Sequence, residues 1–260
     1  MKVRFQGMLA TTAAAAALLA SADLVRADGM PSAYARPSSW SGAYVGVDSS
    51  WDFERVRTSW VELGGIHSSS DRDVINAGLF AGYQKQFGSI VLGLEANLIG
   101  NEFDFHKNVA VQPGHIGNCP AAFGTAFNCV GRITNLITVG PRVGLAAGNW
   151  MPYVTGGWAT GSTNFRLVAP APSGVTVFWA DNRQDGWFLG GGLDWKLAPN
   201  VVIGAEYRHT DLGTGPIVAA FDPRIGAPNF VENIKNRADN DAILLRGSLL
   251  FGVPEYSPLK

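Results

Sequence analysis

Five charged residues, Glu95, Arg142, Glu206, Arg208 and Arg246, stand in segments whose alternate positions are mostly apolar or small. Residues of one parity on an extended chain share a face, so these carboxylates and guanidiniums meet if their faces enclose a common space. In a dry space they must pair, because an isolated buried charge is costly. In a wet space the same charges would line an ion path. The run His209-Thr210-Asp211 raises a second chemistry, a hydroxyl activated by a base that a carboxylate orients. Neighbours on a strand point to opposite faces, so His209 and Thr210 are not expected to form a dyad. His209 reads as an outward residue near the end of its strand, and no catalytic group is expected.

Cys119 and Cys129 are the two cysteines of the chain. They show neither C-x-x-C spacing nor a matching histidine pair, so a disulfide is expected rather than a zinc site. Closing so short a loop contributes about 2–3 kcal/mol on the entropic estimate. His67, His106 and His115 fall in long connecting segments, as do Phe103, Phe105, Phe123 and Phe127. Loop histidines among aromatics could grip a haem, but no fixed spacing supports it. There is no phosphate loop, metal cluster or nucleotide fingerprint, and no cofactor or metal is expected.

The composition narrows the classes further. With a formal charge of -1 and no lysine-arginine cluster among 260 residues, the chain lacks a footprint for nucleic acid. Lys2 and Arg4, the apolar run Met8 to Leu19 and Ala20-Ser21-Ala22 have the order of a secretory signal peptide, residues 1–22. A second possible cut follows Ala27, but it would leave Asp23 and Arg26 in a region that is normally uncharged. After the signal no apolar run is long enough for a membrane helix. Residues 23–39, with Pro31 and Pro37, read as a linker on the periplasmic side.

From Trp40 onward the period is two. In Ile90 to Leu98 one parity is Ile, Leu, Leu, Ala, Leu and the other Val, Gly, Glu, Asn, which describes a strand with one apolar and one small or polar face. The same pattern gives eight segments, about 41–53, 74–87, 89–104, 132–147, 152–166, 186–198, 200–213 and 239–252. Tight links at Phe87-Gly88-Ser89, Gly148-Asn149-Trp150 and Ala198-Pro199-Asn200 alternate with separations of about 20–27 residues. Short turns on one side and long loops on the other are the layout of an outer-membrane barrel. The fold expected is all-β, an eight-stranded antiparallel up-and-down transmembrane β-barrel over residues 40–252, with 253–260 as a C-terminal extension. Its interior is just wide enough for side chains to fill, so Glu95, Arg142, Glu206, Arg208 and Arg246 are expected to form a packed network. Trp187 and Trp195, on one face with Leu189 and Leu193 between them, are expected at the two edges of the lipid-facing band as an aromatic girdle.

Three stretches resemble a known family. Trp40-Ser41-Gly42-Ala43-Tyr44-Val45-Gly46 is similar to the W-[ST]-G-x-Y-x-G opening of small porin-like outer-membrane surface antigens of Gram-negative bacteria. Glu206-Tyr207-Arg208-His209-Thr210-Asp211-Leu212-Gly213 resembles that family's E-Y-x-Y-x-D-x-G strand, and Gly186-Trp187 through Pro199-Asn200 its glycine-rich hairpin. The resemblance implies a barrel in the outer membrane with a surface or envelope-structural role. Its surroundings would be outer-membrane lipid and lipopolysaccharide, and barrel-assembly machinery would insert it. A narrow porin, or a haem or host-ligand receptor acting through the loops, is the alternative. Relatives usually end on an aromatic residue used for assembly, whereas Phe251 is followed here by Gly252 to Lys260. The signal is therefore internal or altered.

Overall fold

The computed structural model describes residues 39–60, 66–100, 128–168, 176–218, 220–221 and 233–252. The expected signal peptide, most of the linker, the C-terminal extension, Cys119, His106 and His115 lie outside them, as do Phe103, Phe105, Phe123 and Phe127. The expected disulfide therefore falls outside the described residues.

The strands are β1 (Gly42–Trp60), β2 (Ile66–Phe87), β3 (Ile90–Gly100), β4 (Asn128–Leu145), β5 (Trp150–Val168), β6 (Thr176–Ala198), β7 (Val201–Val218), β8 (Ala220–Phe221) and β9 (Asn233–Gly252). β8 is a two-residue strand paired to β6. The other eight are antiparallel staves in the order β5-β4-β3-β2-β1-β9-β7-β6, and β5 pairs with β6 to close the barrel. One rung runs Trp195, Ile203, Gly247, Val47, Leu79, Leu98, Ile137, Thr160 and Asp185. It returns to β6 ten residues from where it left. That stagger tilts the staves, and tilts of about 35–45° are the rule in such barrels. Alternate β-branched, aromatic and leucine positions favour the staves. Gly88 (φ 62) and Gly148 (φ 64) take the left-handed backbone that tight turns require.

Apart from β3, whose described residues end at Gly100, the staves run further toward the loop end than the alternation indicates. β1 and β2 are joined by residues 61–65 and β5 and β6 by residues 169–175, in place of the expected links of about 20–27 residues. His67 consequently belongs to β2, opposite Ser59, and not to a loop. Cys129 lies on β4, opposite Leu167. The physical reason is that stretches such as Ser68 to Ser70 have no apolar residue at alternate positions, so they carry no parity to read.

The outer face carries a belt of exposed apolar side chains, among them Leu79, Leu92, Leu94, Leu98, Val154, Leu189 and Leu193. A continuous patch of this size requires an apolar surrounding. Inside, three layers stack along the axis. Trp40, Tyr44, Phe80, Val91, Met151, Val202 and Leu250 form an apolar layer at the turn end. Val56, Ile99, Ile133, Leu136, Ala159, Phe188, Leu212 and Ala238 form another toward the loops. Charged and amide side chains fill the space between them.

Candidate functional site

The parity of β3, β4, β7 and β9 sends Glu95, Arg142, Glu206, Arg208 and Arg246 into the middle layer, and all five are buried. Arg246 bridges two carboxylates. Its Nη2 lies 2.6 Å from Glu95 Oε1 and its Nη1 donates to Glu206 Oε2. Arg208 donates to Glu206 through Nε at 2.7 Å and Nη2 at 2.6 Å, and its Nη1 reaches Thr138 Oγ1 at 3.1 Å. Arg142 stands 3.7 Å from Glu95 and donates to Asp194. Three guanidiniums thus meet three carboxylates, Glu95, Glu206 and Asp194. Such charge-assisted bonds are the strong class, and a balanced set satisfies charges that burial would otherwise penalise.

Aromatic rings complete the layer. The Arg142 guanidinium lies 3.5 Å from the Tyr153 ring centre and that of Arg246 4.0 Å from Phe80, so ring faces shield cations where carboxylates do not reach. One arrangement occurs twice. Tyr44 on β1 faces Gly82 on β2, which faces Glu95 on β3; Tyr153 on β5 faces Gly192 on β6, which faces Glu206 on β7. In each the tyrosine hydroxyl donates to the glutamate over 2.8 Å.

Sequence reasoning did not include Asp194, Tyr44, Tyr153 or Thr138 in the network. The inward parity of Asp194 was legible, but contacts across the lumen depend on the stagger of the staves. It also missed a cradle of hydroxyl and amide donors around two aspartates on the loop side. There Asp52 accepts from Ser50 (2.5 Å), Asn76 (2.8 Å) and Asn240 (2.7 Å), and Asp48 accepts from Asn97 (2.5 Å).

The turn-end mouth is crossed by the residues before β1. Trp40 donates from its indole nitrogen to the Gly148 carbonyl at 3.1 Å and from its backbone nitrogen to Gln86 at 2.8 Å, and its own carbonyl accepts from Gln84 at 2.7 Å. Lys196 stands 4.2 Å over its ring and donates to the Ser39 carbonyl at 2.8 Å. The family-like opening motif accounts for a tryptophan at position 40 but not for this placement.

On the outer wall Trp187 and Trp195 are exposed, and each has an exposed cross-strand tryptophan on β5, Trp158 and Trp150 respectively. Trp150 and Trp195 stack at 5.3 Å and 9°. Eight residues of strand separate the two pairs along β6, about 26 Å of chain, or about 20 Å of height once tilted, close to an apolar band. His209 faces outward, with its ring 5.4 Å from Trp187 and Nδ1 2.8 Å from Asp241 Oδ1. Tyr207 donates to the same oxygen at 2.7 Å. Thr210 is buried on the lumen side, so the histidine and the threonine hydroxyl occupy opposite faces of the wall.

Residues 9–242 match the family described as outer membrane protein beta-barrel domain. Curated relatives include the 31 kDa outer-membrane immunogenic protein of Brucella melitensis, 26% identical over 189 residues that span 69% of this chain and 74% of that one. The 25 kDa outer-membrane immunogenic protein of Brucella ovis is 28% identical over 176 residues, 67% of this chain and 71% of that one. Among solved structures, the outer membrane protease OmpT from Escherichia coli aligns over 81% of this chain and 97% of its own, with a TM-score of 0.51 and 8% identity. At that identity the likeness concerns the fold alone.

Proposed function

The chain belongs to the outer membrane protein beta-barrel domain family and is an outer-membrane protein, and from that premise we propose that it serves the envelope as a structural, surface-presenting barrel whose lumen its own side chains fill. The observation that carries this reading is the balanced ion-pair layer held between two apolar layers. An ion entering from the turn end meets Trp40 with the Lys196 ammonium over its ring, and one entering from the loop end meets the layer around Leu136, Phe188 and Leu212; dehydration in either is expensive. The test is single-channel recording in planar bilayers. Purified folded protein is expected to give no steady conductance; reproducible steps at neutral pH would overturn the filled-lumen reading in favour of a narrow porin.

No catalytic step is assigned. His209 has its carboxylate partner but not the Thr210 hydroxyl, which supports a non-enzymatic role although one barrel of similar fold is a protease. The partners proposed are the lipid around the belt, lipopolysaccharide included, and the machinery that assembles barrels, for which Phe251, outward and exposed near the end of β9, is a suitable handle. Haem or a host ligand would have to engage the loops, and a Soret shift on adding haem would bring that alternative forward.

A further inference from the structure

Beyond the aromatic rim, the loop-side wall of β1 and β9 carries four outward cations, Arg55, Arg57, Lys235 and Arg237. Arg57 and Arg237 are direct cross-strand partners. Their Cβ atoms therefore stand about 5 Å apart, and like charges so placed repel. Lys235 occupies the next outward position of β9, diagonal to Arg57.

The carboxylates nearby only partly neutralise this group. Three carboxylates are set against these four cations: Asp239 is shared between Arg55 at 3.3 Å and Arg57 at 3.7 Å, Asp71 also holds Arg55 at 3.3 Å, and Asp211 takes Arg237 at 2.7 Å. Each guanidinium has five N–H donors, and Arg57 and Arg237 remain about half exposed, at 51% and 50%. Two opposed forks with spare donors and an adjacent ammonium suit a tetrahedral oxyanion, which would relieve their repulsion and bind bidentately.

The position specifies the carrier of that anion. Asp211, the partner of Arg237, is itself the cross-strand partner of Trp187. Trp187 stands at the upper edge of the exposed apolar belt, beside His209 and above Leu189. A molecule with its phosphate on the cations and its chain downward therefore lays that chain on Trp187 and Leu189. We infer that Arg57, Lys235 and Arg237 form a binding site on the outer wall for the phosphate of an acylated lipid in the outer leaflet. The inference rests on the outer-membrane placement and deepens the proposed lipid partnership; it is independent of whether the lumen conducts.

The test titrates the folded full-length barrel, in an uncharged detergent, with a phosphorylated multiply acylated glucosamine lipid. The same lipid lacking its phosphate and inorganic phosphate form two further arms, and quenching of tryptophan emission reports binding. The triple variant Arg57→Gln/Lys235→Gln/Arg237→Gln is compared with Lys85→Gln, which removes an exposed cation near the opposite rim. All are first checked for heat-modifiable migration, so loss of folding is seen separately. The phosphorylated lipid is expected to bind wild type and Lys85→Gln alike, with affinity falling as salt rises, and the triple variant at least about tenfold more weakly. Equal binding by the triple variant, or equal binding of the dephosphorylated lipid, overturns the site. Binding of inorganic phosphate as tight as that of the lipid overturns the lipid assignment. A conducting barrel that still binds the lipid would refute only the filled lumen.

Discussion

The hydroxyl of Tyr44 donates to the carboxylate of Glu95 over 2.8 Å, and it spans two strand spacings because Gly82 lies between them. A Cβ on Gly82 would stand 2.5 Å from the tyrosine hydroxyl. Gly82→Ala should therefore displace the ring from its acceptor and destabilise the barrel by about 1–3 kcal/mol through overpacking. Tyr44→Phe keeps the ring and removes a single bond to a charged acceptor, a loss of about 1.5–3 kcal/mol. Urea midpoints of the liposome-folded variants measure both, and unchanged midpoints would mean that the rung is incidental.

Glu206 holds Arg208, Arg246 and Tyr153 at once. Glu206→Ala leaves two buried guanidiniums short of a carboxylate and should cost about 3–5 kcal/mol. The expected outcome is a clear fall in the urea midpoint with bilayer conductance still at baseline. Full stability in this variant would indicate a hydrated lumen.

Leu94 projects into the belt and is 58% exposed, whereas Ser89 sits in the tight turn before β3. Arginine in the lipid-facing band costs up to about 2–4 kcal/mol, falling to about 0–1 near an interface. Leu94→Arg should lower the yield of heat-modifiable protein after folding into liposomes, and Ser89→Arg should not. Equal yields would contradict the parity of β3.

Trp40 is nearly fully buried, and Trp40→Ala should cost about 3–5 kcal/mol. Trp40→Phe would lose the indole bond to Gly148 while leaving a ring under Lys196, so its midpoint should fall between those of alanine and wild type. Alanine and phenylalanine variants of equal stability would show that filling the mouth contributes nothing.

The parity of the wall was legible in the sequence because the side-chain period of a strand is two. One apolar position at Leu94 fixes Glu95 as inward, and Tyr207 fixes Glu206 and Arg208. The pairing of these charges was legible only in part. Arg246 meets Glu206 from the neighbouring stave but also Glu95, which lies across the lumen, and that reach depends on barrel width and stagger rather than on local pattern. Trp187 and Trp195 stood out by their spacing, whereas Trp158 and Trp150 become their partners only once β5 pairs with β6. The loop-end limits of the staves were hidden, because stretches such as Ser68 to Ser70 have no apolar residues to alternate.

The indole of Trp40 rests on the turn between β4 and β5 and under a lysine of β6, yet it precedes the first stave. Trp40 therefore ties the segment before β1 to β2 through Gln84 and Gln86, to the turn between β4 and β5 through Gly148, and to β6 through Lys196. A single residue thus senses four staves at once, and loosening of any of these contacts would reach it even where β1 stays paired.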